Sequence, residues 1–152
     1  MKKNQYDITI DDINPEQIKP ILHAGISDFN YQFFGSYELK KFAIYIKNET
    51  YDVIAGLYGF ILQKHHCMRI EYFWVQKNHR NNGLGTRLIQ QLEQYAHNNK
   101  CKCIQLSTME FQGAYFYQKM GYRLIARVPK WFCDRDEFFF SKELPTTTIE
   151  IA

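Results

Sequence analysis

The amino-acid sequence predicts an α/β fold, in which a central mixed sheet is antiparallel first and parallel later and is flanked by helices. A run from Arg69 to Asn98 reads as a strand, a glycine loop and an amphipathic helix. Two strand-like segments come before it, joined by a short polar turn, and another strand follows it. Because a helix crossover normally joins parallel strands, the last of these strands should lie parallel to the one before the helix.

The run from 69 to 98 has the clearest pattern in the chain. Arg69–Val75 is rich in β-branched and aromatic residues, which is typical of a largely buried strand. From Leu84 onward the apolar residues recur every three to four positions and so form one stripe of a helix. The stripe consists of Leu84, Leu88, Leu92, Tyr95 and Ala96.

The loop between this strand and helix is suited to an anion. It consists of Arg80, Asn81, Asn82, Gly83, Leu84, Gly85 and Thr86. Its two glycines allow a sharp turn and a close approach of backbone N–H groups to a ligand, and the helix start adds unpaired amides and a positive dipole end. A phosphate group would fit there. Taken by itself, the loop is equally compatible with an ordinary turn.

The N-terminal part is predicted to begin with a strand at 6–10. Asn14 followed by Pro15 then opens a helix that reaches Gly25 or a few residues beyond. The aromatic stretch 29–37 has no clear periodicity and is interpreted as a loop or a short helix.

The following segments complete the sheet. Strands at 41–47 and 51–63 should form a hairpin around the polar connection 48–50. After the central helix we expect a strand at 103–108, a helix within 108–122 and two closing strands, 122–128 and 136–142. In that second helix Gly113 and Tyr117 share a face, and Gly121 is placed to end it.

Composition restricts the class of protein. The 152 residues fit one globular domain, over residues 1–144, with a tail at 145–152. No apolar run approaches a membrane span, and acidic residues follow the N-terminal lysines where a secretion signal would need apolar ones. Basic residues are scattered, which argues against nucleic acid. We therefore expect a cytoplasmic protein without membrane or nucleic-acid partners, and a homodimer stays open.

The four cysteines lack the spacing of a disulfide framework or a zinc site, which favours reduced thiols. The run His65-His66-Cys67 resembles a metal cluster, but adjacent residues of a strand point to opposite faces. No metal is therefore expected.

Several of these residues together resemble a known family. Val75-x-x-x-x-Arg80-x-x-Gly83-x-Gly85-x-x-Leu88, followed by Phe116-Tyr117-x-x-x-Gly121-Tyr122, is similar to the GNAT superfamily of acyl-CoA-dependent N-acetyltransferases. The order of predicted elements matches that fold over nearly the whole chain. Many relatives have asparagine and alanine ahead of the Phe-Tyr pair, where this chain has Glu110 and Gly113.

The resemblance implies acetyl-CoA as cosubstrate. Its pyrophosphate would be held by the amides of the loop Arg80 to Thr86, and its pantetheine arm would lie in a gap between two splayed parallel strands, which end at Val75 and near Thr108. Arg80 would add charge or brace the loop.

The resemblance also implies direct attack of an amine on the thioester in a ternary complex. A backbone N–H near Val75 would stabilise the oxyanion, and Tyr117 would hydrogen-bond the leaving sulfur. Glu71 is the only carboxylate on its strand and is expected on the same strand face as Phe73 and Val75. It could accept a proton directly or through water, or attract the cationic amine.

The acceptor stays open between a small-molecule amine and a peptide. The aromatic stretch 29–37 and the segment 131–137 are candidates for its pocket, and both are equally compatible with core or surface. An alternative function is a regulatory or structural protein that binds acyl-CoA without turnover. A dinucleotide-binding domain is disfavoured because Leu88 stands where a third glycine is expected.

Overall fold

The computed structural model describes residues 6–35 and 38–145. Internal contacts divide the chain into two compact units, with the boundary after residue 37. The first unit contains a short 3-10 turn, Pro15–Gln17, and helix α1, Lys19–Phe34. The second contains the sheet and two further helices, α2 (Leu84–Asn98) and α3 (Ala114–Lys119).

Helix α1 is longer than the sequence pattern indicates. Residues 29–34, four of which are aromatic, form its last turns, so the loop interpretation of that stretch is wrong for these residues. Gly35 ends the helix with φ of +63°, and its N–H donates to the carbonyl oxygen of Tyr31 at 2.8 Å. Ser36 and Tyr37, which belong to the same predicted stretch, lie outside the described residues.

The chain before α1 also differs from its prediction. Residues 6–10 have no regular structure, so the predicted first strand is wrong. Asn14 does not cap the first turn with its side chain; the carboxylate of Asp11 instead accepts the N–H groups of Ile13 and Asn14, at 3.1 and 2.9 Å.

The sheet of the second unit has six strands in the order β1-β2-β3-β4-β6-β5. The pairs β1–β2, β2–β3, β4–β6 and β5–β6 are antiparallel, and β3–β4 is parallel, as the crossover through α2 predicted. The strands are β1 (Leu39–Lys47), β2 (Val53–Leu62), β3 (Cys67–Val75), β4 (Cys103–Met109), β5 (Arg123–Phe132) and β6 (Arg135–Glu143). The mixed sheet is therefore confirmed.

Helix α2 provides most of the helical side of the core. Its buried residues Leu88, Leu92 and Ala96 belong to the predicted stripe, and Ile89 widens it. Burial of one such leucine or isoleucine stabilises the fold by about 1.5 to 3 kcal/mol. The helix residues join a single cluster with buried side chains of β2, β3, β4 and β6, including Ile104 and Phe140.

Strand β3 contains a bulge opposite β2. Tyr58 pairs with Tyr72, and the next residue, Gly59, pairs with Ile70, so Glu71 is an extra residue on β3. A Cβ on Gly59 would overlap the carbonyl oxygen of Arg69 and lie 3.1 Å from its carbonyl carbon. The bulge therefore depends on a glycine at position 59 of the neighbouring strand.

Candidate active site

The two parallel strands diverge after a short contact. β3 and β4 pair only at Cys67 with Cys103, Met68 with Ile104, and Arg69 with Gln105. Beyond these positions the strands separate around a cavity of about 950 Å³. Residues 70–75 of β3 line one side and residues 106–108 of β4 the other, as the predicted splayed strands require.

The backbone amide of Val75 faces this cavity. The N–H of Gln76 donates to the carbonyl oxygen of Ile54 on β2 at 2.8 Å, and Val75 is paired with Ala55. Because N–H groups alternate between the two edges of a strand, the N–H of Val75 points away from β2. That edge is the one where β3 has parted from β4.

Arg80 joins the loop to the end of β3. Its Nε donates a hydrogen bond of 3.0 Å to the carbonyl oxygen of Val75. The side chain is also part of the cavity wall. Arg80 therefore braces the loop, which was one of its two predicted roles, and brings a positive charge to the mouth of the cavity.

The loop turns through two left-handed residues before α2 begins. Asn81 has φ of +63° and Gly83, the N-terminal cap residue, has φ of +76°. Gly83 has no side chain to satisfy the first amides of α2, so these donors remain available to a ligand. The same first turn carries the positive end of the helix dipole.

The structure brings most of the predicted loop residues to the cavity wall. The lining includes Arg80, Asn81, Gly83, Leu84, Gly85 and Thr86. Asn82 lies in the same loop, outside the cavity wall. Further basic side chains of the wall, His79 and Lys119, were not singled out from the sequence.

Gly85 has a packing role that the loop motif alone did not indicate. A Cβ at this position would lie 3.3 Å from Cζ of Phe116 and 3.6 Å from Cζ of Phe73. The rings of Phe73 and Phe116 are themselves in contact, with centroids 5.7 Å apart. A side chain at position 85 would therefore require the ring of Phe116 to shift by a few tenths of an ångström.

Tyr117 lies on α3 within an aromatic cluster. It is 5% exposed and makes edge contacts with Phe73, Phe116 and Tyr122 at centroid distances of 5.3 to 6.0 Å. It also lines the cavity. Burial raises the pKa of Tyr117 above its usual value, so the phenol keeps its proton at neutral pH and can donate a hydrogen bond.

Glu71 lines the cavity from the bulge of β3. The prediction that it shares a face with Phe73 and Val75 assumed unbroken alternation, and the register shift removes that basis. The bulge is a local feature of two strands, which a pattern along one strand cannot reveal.

Gln112 is a residue of this site that sequence reasoning missed. Its Oε1 accepts the backbone N–H of Met109 at 3.1 Å, at the end of β4 where the strand has no parallel neighbour. Thr108 Oγ1 lies 3.4 Å from the same oxygen. Gln112 therefore occupies one amide, at the end of the free edge of β4, and no motif in the sequence marked it.

The segment 131–137 forms the tip of the β5–β6 hairpin and is not part of this cavity wall. Within it the carboxylate of Asp136 accepts the N–H of Lys130 at 3.0 Å and pairs with Arg127. The hydrogen bond from Lys130, together with the Arg127 guanidinium, lowers the pKa of Asp136. These contacts brace the hairpin.

Among residues 6–35 and 38–145, none of the helices combines the length and the apolar character of a membrane span. In the same part of the chain, no three His, Cys, Asp or Glu side chains are grouped so that they could hold a metal ion.

Comparison with known proteins identifies the family. Residues 9–122 match the model of the acetyltransferase (GNAT) family. The chain is 34% identical over 94 residues to the blasticidin-S acetyltransferase of Streptomyces morookaense, which covers 61% of this chain and 68% of that protein.

Solved structures of acetyltransferases are similar to this chain. An acetyltransferase from Bacillus cereus has 26% identity and a TM-score of 0.71, over 92% of this chain and 98% of that one. An aminoglycoside 6'-N-acetyltransferase in complex with coenzyme A has the same fold, with 15% identity and a TM-score of 0.63 over 90% of this chain and 96% of that one. The divergent strands, the glycine loop and these matches together show that the chain belongs to the acetyltransferase (GNAT) family.

Proposed function

We propose that this protein transfers an acetyl group from acetyl-CoA to a primary amine of a small molecule or peptide, by direct attack in a ternary complex. The observation that carries the proposal is the combination of a cavity between parted parallel strands with the uncapped start of α2 at its mouth. The transferase domain extends over residues 1–144 and acts in the cytoplasm.

The loop from Arg80 to Thr86 binds the pyrophosphate of the donor. Backbone amides at the start of α2 provide hydrogen bonds, and the Arg80 guanidinium provides positive charge. The free edges of β3 and β4 receive the amide-bearing pantetheine arm, as a sheet edge receives another strand.

Val75 stabilises the charge that develops on the thioester oxygen. When the amine nitrogen attacks the carbonyl carbon, the oxygen becomes an oxyanion, and the N–H of Val75 faces the space where it forms. One such donor contributes about 3 to 4 kcal/mol to the transition state.

Tyr117 acts on the leaving group. The carbon–sulfur bond breaks and coenzyme A leaves as a thiolate, whose reference pKa of about 8.5 lies below that of tyrosine, about 10. Burial raises the pKa of Tyr117 further, so full proton transfer is uphill by more than roughly 2 kcal/mol. Tyr117 therefore donates a hydrogen bond that strengthens as charge develops on sulfur.

Glu71 receives the acceptor amine. Glu71 lines the cavity at the bulge, and its carboxylate attracts an ammonium group and takes up the proton directly or through a water molecule. The relation to the blasticidin-S acetyltransferase makes an aminated antibiotic the first acceptor to try.

The test is a thermal-shift screen with acetyl-CoA and NAD, followed by a free-thiol assay over a panel of amines that includes blasticidin S. We expect stabilisation by acetyl-CoA alone and thiol release that depends on an amine. Stabilisation by NAD, or by neither compound, would overturn the proposal. Binding without thiol release over the whole panel would favour the non-catalytic acyl-CoA-binding protein.

A further inference from the structure

Two thiols lie next to each other where β3 and β4 are still paired, at one end of the cavity. Cys67 is the first residue of β3 and Cys103 the first of β4, and they are direct register partners in the parallel pair. Their Sγ atoms are 2.6 Å apart, and both cysteines are free and partly buried. Adjacent strands lie about 4.8 Å apart, which is within the Cα separation that a disulfide spans.

The other two cysteines are placed differently. Cys101 is buried and precedes β4, where its N–H donates to the carbonyl oxygen of Ala96 at 2.9 Å. Cys133 is exposed at the tip of the β5–β6 hairpin. The register of the sheet therefore selects one pair among the four cysteines.

The position of this pair matters because the contact between β3 and β4 is short. Register pairing ends at Arg69 and Gln105, two residues after the cysteines, and the strands then part around the cavity. A covalent bond between the first residues of both strands would link β3 and β4 within the short segment where they are paired, next to the point where they separate.

We propose that Cys67 and Cys103 are a redox modification site, which forms a reversible disulfide when the protein meets a peroxide. The inference does not depend on the proposed acyl transfer, since it uses only the thiols and the sheet.

The reaction balances in two steps. The Cys67 sulfur attacks one oxygen of hydrogen peroxide, the O–O bond breaks, and one water leaves with Cys67 as a sulfenic acid. The Cys103 sulfur then attacks the Cys67 sulfur, the S–O bond breaks, and the hydroxyl leaves as a second water with the proton of Cys103. Two thiols and one peroxide give one disulfide and two waters.

The environment of Cys103 suits it to the second step. Burial and the hydrogen bond with Cys67 raise the pKa of Cys103 to about 12, so Cys103 keeps its proton at neutral pH. Since the thiolate is the nucleophile toward peroxide, Cys103 is a poor first nucleophile, and we assign it the step that resolves the sulfenic acid.

Tryptic peptides can identify the bond because each cysteine falls on its own peptide. Cleavage after lysine and arginine places Cys67 in 65–69, Cys101 in 101–102, Cys103 in 103–119 and Cys133 in 131–135. The whole protein is treated with equimolar hydrogen peroxide, blocked with N-ethylmaleimide, and digested without reductant.

We expect peptide 65–69 linked to peptide 103–119, two hydrogen atoms lighter than their sum and separated by dithiothreitol. Cys133→Ser should leave this linked peptide unchanged, and Cys103→Ser should abolish it and leave a sulfenic acid on Cys67 that dimedone traps. The oxidised protein should melt roughly 5 to 10 °C higher than the reduced one.

Other products would overturn the inference. A link from 65–69 to 101–102 or to 131–135 would show that a different thiol reacts. Recovery of Cys67 and Cys103 both alkylated, while Cys133 is oxidised, would show that the pair does not respond to peroxide.

Discussion

Arg80 Nε donates to the carbonyl oxygen of Val75, 3.0 Å away, and so links the loop before α2 to the strand end whose amide faces the cavity. One side chain thereby fixes the relative positions of the loop that we propose to bind the pyrophosphate and the amide that we propose to stabilise the oxyanion. The loop amides and the amide of Val75 are backbone groups, which no substitution removes directly. Their relative positions can therefore be tested by replacing Arg80.

Arg80→Ala should weaken acetyl-CoA binding and turnover together. It removes a positive charge from the cavity wall and a hydrogen bond worth about 1 kcal/mol, so we expect at least a tenfold rise in the Kd for acetyl-CoA by calorimetry and a lower kcat. Arg123→Ala, on the exposed start of β5, is the control and should leave both unchanged. Equal values for Arg80→Ala and the parent protein would remove Arg80 from the site.

Gly83→Asp should reduce acetyl-CoA affinity through charge. Gly83 has φ of +76° and open space around it, so an aspartate fits sterically but places a carboxylate where the pyrophosphate binds. Gly83→Asn has the same shape and the same backbone strain without the charge. We expect the aspartate variant to bind acetyl-CoA at least tenfold more weakly than the asparagine variant, and an equal Kd for both would contradict the placement of the diphosphate.

Tyr117→Phe should lower kcat more than it raises the KM for acetyl-CoA, because the hydrogen bond to sulfur gains strength only as charge develops there. The raised pKa keeps Tyr117 protonated, so the rate should fall by a similar factor from pH 6 to 9. Tyr115→Phe, on an exposed face of the same helix, is the matched control. A rate for Tyr117→Phe equal to that of the control would exclude the hydroxyl from the mechanism.

Glu71→Gln should lower kcat/KM for the amine by about a hundredfold and leave acetyl-CoA affinity unchanged, because a neutral amide neither accepts a proton nor attracts an ammonium group. Glu49→Gln, in the β1–β2 turn, should have no effect. Steady-state kinetics with the amine varied at saturating acetyl-CoA would measure the difference. A kcat/KM equal to that of the parent protein would show that Glu71 does not take up the proton of the amine and that water does so alone.

Tyr122→Phe should stabilise the protein by about 1 kcal/mol at neutral pH. Among the described residues its buried hydroxyl has no hydrogen-bond partner, and the substitution removes only that oxygen. The effect can be measured by urea denaturation, with Tyr45→Phe at an exposed position as control. A loss of stability would mean that the hydroxyl has a favourable partner.

The same substitution has a pH-dependent signature. Burial, followed by Glu93 and Tyr117, raises the pKa of Tyr122 above that of an unfolded tyrosine. The folded state then keeps a proton that the unfolded chain releases above about pH 10. The free energy of unfolding therefore does not depend on the ionisation of Tyr122 below pH 10, and it falls as the pH rises above that value. The melting temperature of Tyr122→Phe should therefore decline less steeply in that range.

The parts of this structure that could be predicted from sequence are those with local causes. The stripe of α2 and the glycine loop before it follow from residues within one or two turns, and both are where the pattern placed them. Helix α1 was predicted too short because its apolar residues are not periodic, and the strand at 6–10 was wrong because alternation alone does not supply a partner strand.

The site depends on relations that one segment cannot reveal. The bulge at Glu71 requires the close approach of Gly59 to Arg69 on another strand. The contact between Gln112 and the amide of Met109 depends on where β3 leaves β4, which no side-chain pattern records. The role of Tyr117 was predicted only through the family resemblance, because the Phe-Tyr pair belongs to a motif.

A methyl group at position 59 would overlap the carbonyl oxygen of Arg69 and so act against the bulge in β3. With the bulge closed, β3 would pair with β2 at every residue, and each side chain from Tyr72 onward would exchange faces. Phe73 and Val75 would turn away from the hydrophobic core, and Tyr72 and Trp74 would take their places. The side chains with which β3 lines the cavity are thus determined by a residue that has no side chain and lies on a different strand.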